Sequence, residues 1–435
     1  MLRFAPSPTG DMHIENLRVA IFNYMVAKQR DVNFIVRIED TDKERNITGK
    51  DTEIMDILEK FALPHDSVSH QSENLHIHQT LAIRLLEEKK AFVCTCTPEQ
   101  IDTEKEEAKK NNAIYRYSGR CSKVGAEELR KLKEDKTPFV VRIMTPDAPI
   151  VNHDLIKGDM ETSPNEVDSF VILRADGTPT YNFACACDDM ISGISLIIRS
   201  DEHLSNTPKQ TYIKRLLGYE QDTNYAHLPV ILNTDGEKMD MSDETCSIKW
   251  LFEQGFIPDA IANYLILLGN ETPTEIFTMP EALEWFDLSK MSKSPVKFDI
   301  DKLRSINRQH LEMMDDKRLS GLFGFADEDI GKLAKLYLEE ASTINELDAK
   351  IKLIFSPKDF NGKWGEQMRM IAENIETMPM IDDVDDFNVH IVHMTGLKGE
   401  NFFTPLRLLL TGSEDGPELS DIYPLIKPYL LEVIS

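Results

Sequence analysis

Residues 2–18 read LRFAPSPTGDMHIENLR, and this stretch decides the fold. Residues 2–5 are short and apolar around Arg3, as in a buried strand. Pro6, Pro8 and Gly10 then make a turn, because proline fixes φ and glycine tolerates left-handed backbone. From Ile14 onward Leu17, Ala20, Ile21, Tyr24 and Met25 recur at helical spacing. VNFIVRI, 32–38, follows as a strand and KDTEIMDILEKFA, 50–62, as a helix. Strand, turn, helix, strand, helix is the opening of a doubly wound α/β domain. A helix that starts directly after such a turn presents free N–H groups and its positive dipole end, which suits a phosphate. Gly10 permits close backbone approach there. His13 and Asn16, one turn apart, can both donate hydrogen bonds to a charged oxygen.

Downstream, a charged, cysteine-bearing segment, 94–180, interrupts the pattern. YNFACAC (181–187), ISLIIR (194–199) and HLPVIL (227–232) read as strands that restore it, with a helix at about 205–217. No convincing strand recurs after residue 245. From about 316 the chain reads as helical and charged, with an acidic loop at IDDVDDF, 381–387.

The 435 residues suffice for two to four domains. A hydrophobic fraction of 41% and a charged fraction of 29% are ordinary for a globular protein, and no apolar run reaches the length of a membrane span. The N-terminus lacks an apolar secretory core. Six cysteines in so long a chain point to a reduced, cytosolic setting rather than a disulfide scaffold. The net charge of −26 argues against a polyanion partner at first sight. Binding uses local patches, however. Within 287–310, six basic residues (Lys290, Lys293, Lys297, Lys302, Arg304 and Arg308) face three acidic ones.

The opening segment resembles the glutamyl-tRNA synthetases, a group of class I aminoacyl-tRNA synthetases, whose pattern is F-A-P-S-P-T-G-x-[LM]-H-I-G-[HGN]-x-R. The match holds at Phe4 through Gly10 and at His13, Ile14, Asn16 and Arg18; Glu15 stands where the family has glycine. RIEDTDKERN (37–46), DGTPTYNFACACDD (176–189), IIRSDEHLSNTPKQ (about 197–210) and GLKGENFFTPLRLLLTG (396–412) resemble further blocks, so the likeness spans nearly the whole chain. It implies a Rossmann-type catalytic domain with an inserted acceptor-binding subdomain, then a helical stem-contact region and an all-α anticodon-binding domain. The expected bounds are 1–93 and 181–245 for the catalytic halves, 94–180 for the insertion, 246–315 for the stem-contact region and 316–435 for the anticodon domain.

The resemblance implies ATP-dependent formation of glutamyl-adenylate and transfer to tRNA(Glu) or tRNA(Gln), with Mg²⁺ accompanying the nucleotide. The protein would be a cytoplasmic monomer with no membrane partner. Glutamate has two carboxylates and an ammonium, so its pocket needs arginines and an acid. Arg3 and Arg199 fall on the family's glutamate-contacting arginines, Glu39 on the acid for the α-amino group, and Ser7 and Tyr181 on pocket hydroxyls. Gly10, His13, Glu202 and Lys238 fall on ATP contacts. His13, Asn16 and Lys238 would serve catalysis by stabilising charge at the transferring phosphoryl group.

A perfect K-M-S-K-S lies at 290–294, the spelling of the family's mobile ATP loop. It follows PEALEWFDL, a helix-like run, whereas the family's loop follows the last strand of the nucleotide fold. HLPVILNTDGEKM meets that condition, so Lys238 heads the true loop, which reads KMDMSDE. Lys290, Lys293, Lys297 and Arg304 are then assigned to tRNA. In one register Met241 replaces the loop's second lysine; in a shifted one Asp240 and Asp243 occupy the lysine positions. Losing one such donor costs roughly 10²–10³ in rate. A charged Glu15 about 4 Å from a phosphate would cost roughly 1–4 kcal/mol. These departures frame the alternative of a synthetase-like chain that binds tRNA or glutamate without efficient adenylation. RSDEH at 199–203, against R-G-E-D-H in the family, keeps its charges.

Cys94, Cys96 and Cys121 have the spacing of the family's zinc knob, but Lys123 replaces its histidine, and a protonated lysine has no lone pair. Tyr117 matches the tyrosine ligand of the glutamyl-queuosine tRNA synthetases. The cysteines are either the remains of a metal site or, with Tyr117, a Cys₃Tyr zinc site. A glutamyl-queuosine enzyme is a further alternative, at odds with the C-terminal helical part. Cys185 and Cys187 read as core on a strand, and LHIH, 75–78, as a surface pair.

Overall fold

Strand β1 (Leu2–Phe4) is buried along its whole length and pairs in parallel with β2 (Phe34–Ile38), which pairs in parallel with β3 (Ser67–His70). Parallel neighbours need a crossover. Helix α1 (Ile14–Gln29) supplies the first and α2 (Lys50–Lys60) the second. The computed structural model describes residues 1–123, 131–132, 134–135, 137–219, 221–239 and 243–435. It contains two compact units, Met1–Ile248 with Leu265–Phe298, and Lys249–Tyr264 with Asp299–Ser435.

In the first unit, α3 (Leu75–Glu87) leads to β4 (Ala91–Cys94), and α4 (Pro98–Lys110) follows it. Strands β4, β5 (Val140–Ile143) and β8 (Val171–Leu173) form an antiparallel sheet. Between β5 and β8 the chain runs through β6 (Ile150–Asp154) and β7 (Gly158–Thr162). They join a second sheet instead, in the order β7-β6-β10-β9, where β9 is Leu196–Ser200 and β10 is Asn224–Leu228. So part of the 94–180 segment lies in the nucleotide-fold sheet.

YNFACAC is not a strand. It belongs to helix α5 (Tyr181–Ile191), in which every residue from Phe183 to Asp189 is buried. A helix buried on all sides loses its 3.6-residue signature, and a short apolar run cannot then be told from a buried strand. Cys185 and Cys187 are core, as expected, but on that helix. Helix α6 (Thr207–Leu216) then carries the chain to β10. HLPVIL is interrupted at Pro229, which has no N–H to donate; β10 stops at Leu228 and β11 is only Ile231–Leu232. A strand does occur after residue 245. β12 (Val296–Lys297) pairs in parallel with β11, too short to show any periodicity.

Helices α7 (Ile248–Glu253), α8 (Pro258–Leu267) and α9 (Met279–Trp285) precede β12. From Asp299 onward the second unit is helical: α10 (Ile300–Met313), α11 (Asp316–Leu322), α12 (Asp329–Leu336), α13 (Ile344–Ile354), α14 (Gly365–Thr377), α15 (Val384–Thr395), α16 (Glu400–Thr411), α17 (Leu419–Ile426) and α18 (Leu430–Val433). The acidic 381–387 stretch is a loop only at 381–383, and from Val384 it is the first turn of α15. Asp383 caps the helix, accepting from the N–H groups of Asp385 and Asp386, and these two acids sit at its positive end. No helix among the described residues is long and apolar enough to cross a membrane.

Candidate active site

Strands β1 and β9 lie side by side but belong to different sheets. Side chains bridge them: Asn23 of α1 donates to the Ile198 carbonyl at 3.1 Å, and Arg3 of β1 reaches the same oxygen at 3.5 Å. Ligands of open α/β folds bind at such a crevice, beyond the carboxyl ends of the strands. A cavity of about 350 Å³ opens there, lined by Ser7, Gly10, His13, Asn16, Glu202 and Lys238. A smaller one of about 100 Å³ is lined by Arg3, Phe4, Tyr181, Ile198 and Arg199. Glu15, Asn16, Glu39, Tyr181, Glu202 and His203 line both, so the two are lobes of one site. Of the five expected glutamate residues, Arg3, Glu39, Tyr181 and Arg199 meet in the smaller lobe; Ser7 lines only the larger.

The charges of the smaller lobe are set by partners behind it. Asp189, fully buried on α5, accepts from Arg3 Nε at 3.1 Å and from Arg37 Nη1 at 2.7 Å. Arg37 Nη2 donates to Glu39 at 3.1 Å, and the Cys185 thiol donates to the same carboxylate oxygen at 3.1 Å. Burial would raise the Asp189 carboxyl; Arg3 and then Arg37 more than offset this and hold it well below the usual carboxylate range. Two cations and two anions thus form a neutral, buried cluster. Arg199 donates Nε to His227, Nη1 to Gln210 and Nη2 to Thr207, and His227 is in turn bonded to buried Asp154. A guanidinium has five N–H donors, so two remain for a ligand. Burial, followed by the nearby Arg199 charge, lowers His203 to about 4, so it is neutral at pH 7.

Arg37, Asp189, Asp154 and His227 were missed by the sequence reading. Asp188 and Asp189 carried a usable signal, because two acids ending an apolar run demand buried partners. Asp188 supplies the other correction. LHIH is not a surface pair: His76 is exposed, whereas His78 is buried and bonded to Asp188 at 2.8 Å. Two residues apart on a helix point to different sides.

In the larger lobe Lys238 is ion-paired with Glu202. A tight turn delivers it: the Asn233 side chain accepts from the N–H groups of Asp235 and Glu237, and Gly236 sits at φ 84°. Asp240, Met241 and Ser242, including the residue read as the lost second lysine, lie outside the described residues. Glu15 accepts a 2.8 Å hydrogen bond from Ser200. The K-M-S-K-S stretch lines neither lobe. Its Met291 is buried, Lys290 and Lys293 are exposed, and exposed Lys297 lies on β12 beside the 233–238 turn. Arg304 is in the second unit, paired with Glu346.

Away from the lobes, the sulfurs of Cys94, Cys96 and Cys121 lie within 4.8 Å of one another. Tyr117 Oη is 3.4 Å from Cys94 Sγ and 3.3 Å from Cys96 Sγ, and Arg120 Nε donates to Cys96 at 3.1 Å.

A crevice beyond the strand ends, a lobe lined by buried charges and a lysine turn after β11 agree with the features that the sequence resemblance led one to expect. Residues 1–305 match the family model of the class I tRNA synthetases (E and Q), catalytic domain, and the chain belongs to that family of aminoacyl-tRNA ligases. Over all 435 residues, and the whole of each relative, it is 68% identical to Glutamate–tRNA ligase 2 of Sulfurovum sp. and 56% identical to Glutamate–tRNA ligase 1 of Nitratiruptor sp.. Its fold is similar to the crystal structure of a glutamate tRNA ligase from Elizabethkingia meningosepticum in complex with its amino acid. The TM-score is 0.82 and the identity 28%, over 99% of this chain and 97% of that one. Full-length likeness to ligases, helical C-terminal part included, does not favour the non-adenylating or the queuosine alternative.

Proposed function

We propose that this chain is a glutamate–tRNA ligase that activates glutamate with ATP and transfers it to the 3′ end of tRNA(Glu), tRNA(Gln) or both. The observation that carries the reading is the meeting of Arg3, Glu39, Tyr181 and Arg199 in one lobe that opens into another lined by Gly10, His13, Asn16, Glu202 and Lys238. Arg3 and Arg199 take the carboxylates of glutamate, and Glu39 takes its ammonium. His13 and Asn16, at the start of α1, and Lys238, on the facing turn, stabilise charge at the α-phosphate. Magnesium, when bound with ATP, adds further charge neutralisation there. Lys290, Lys293, Lys297 and Arg304 contact tRNA phosphates. The protein acts as a cytoplasmic monomer.

The test is glutamylation of separate tRNA(Glu) and tRNA(Gln) transcripts with labelled glutamate, ATP and Mg²⁺. Product on at least one is expected, and the transcripts decide the tRNA identity. Absence of product on both, at high enzyme concentration, overturns the reading.

Three thiols and a phenol at these separations fit the four ligand positions of a tetrahedral zinc site. Cys94, Cys96, Cys121 and Tyr117 would hold the ion and tie the segment after β4 to the short helical turn Arg120–Lys123. Elemental analysis of the purified protein is expected to find about one zinc per chain, falling below a tenth of that in Cys121→Ser. Metal-free wild type after refolding with zinc present would exclude the site.

A further inference from the structure

Residues 15 and 200 are both glycine in the family pattern, and here both carry side chains that bond to each other. Ser200 Oγ donates to Glu15 Oε1 at 2.8 Å and accepts from the Glu202 N–H at 3.4 Å. On its other side the Glu15 carboxyl faces Glu202, whose charge acts on it, and Glu202 is ion-paired with Lys238. The contacts run Ser200, Glu15, Glu202, Lys238, across the border of the two lobes. Two carboxyl groups this close are costly to charge together, which favours one proton between them.

The charges around the pair say where the proton sits. Among the described residues these are Asp11, His13 and Arg18 around the start of α1, Glu202 and His203 after β9, Lys238 on the turn, and Arg3, Glu39 and Arg199 across the smaller lobe. Burial would raise Glu202, but Lys238 bonds to it and lowers it. Glu15 is more buried; burial, and then the Glu202 charge, raise it to about 7 against the lowering by Ser200 and by the Lys238 charge. The same contacts place Glu15 where a second negative charge would compete with a triphosphate for Lys238.

We infer that Glu15 is a positioning residue that works as a neutral acid, accepting from Ser200 and donating to Glu202, and that ATP enters the site only with this proton in place. The inference rests on reading the larger lobe as the ATP site. The paired side chains restore, by bonding to each other, the neutrality that two glycines would give.

Calorimetric titration of the full chain with a non-hydrolysable ATP analogue and Mg²⁺, at pH 6.5 to 8.5 in buffers of different ionisation enthalpy, tests it. Wild type is expected to take up close to one proton per analogue bound at pH 8.5, with Kd rising roughly tenfold per pH unit above neutrality. Glu15→Gln keeps both hydrogen bonds and has no proton to lose, so its uptake and pH slope should vanish. The Glu15→Gly/Ser200→Gly double variant should lose them too, which covers a failure of the glutamine variant to fold. Uptake unchanged in either variant, or analogue binding by wild type without uptake, overturns the inference and leaves the ATP reading standing. No binding by wild type at any of these pH values overturns both.

Discussion

Asp189→Ala is expected to destabilise the first unit by roughly 3–5 kcal/mol, the cost of stranding buried charge when one partner of an ion pair is removed. Here one carboxylate serves two guanidinium groups, Arg3 and Arg37, each no more than 5% exposed. Urea unfolding should show the midpoint falling with the slope unchanged. Asp189→Asn keeps the volume but not the charge and should recover only part of the loss. The pH dependence has a definite sign. The folded Asp189 carboxyl is depressed, so its contribution is complete above the unfolded value near 4 and is lost as pH falls through the acid range towards its folded value. Wild type should therefore lose more stability than the alanine variant between pH 5 and pH 3.

Lys238→Ala is expected to lower the rate of adenylate formation roughly 10²–10³-fold, the usual cost of one charge-stabilising donor at a transferring group. The side chain is about half exposed and is held by Glu202, so the proposed role requires it to exchange that carboxylate for phosphate. The loss should fall on kcat and on ATP, with KM for glutamate within about threefold of wild type, because Lys238 lines only the larger lobe. Single-turnover formation of glutamyl-adenylate in the presence of tRNA would measure it. An equal rise in both KM values would place Lys238 in general folding of the site instead.

The first strand, turn and helix were legible because proline, glycine and a 3.6-residue apolar stripe each leave a local signature. The resemblance carried the residues that line the lobes. What stayed hidden depended on long-range partners. Arg37 looks like any strand arginine until Asp189, 152 positions away, is brought to it. The buried run from Phe183 to Asp189 in α5 hid its own period, and β12 was too short to have one. Ser200 looked harmless because the charges around it were kept; only the folded chain puts it on Glu15. The K-M-S-K-S string shows the converse. Its letters were complete, yet it lines neither lobe, while the incomplete lysine loop does.

The neutral cluster of Arg3, Arg37, Asp189 and Glu39 also constrains how this pocket can evolve. Each of its charges is matched below the floor by another, so altering one to suit a different amino acid leaves its partner stranded. A drift in substrate choice must then proceed by paired replacements, or by changes at Tyr181 and Ser7, which lie outside the ledger of buried charge. Lineages descending from this chain should vary at those two positions more freely than at the four.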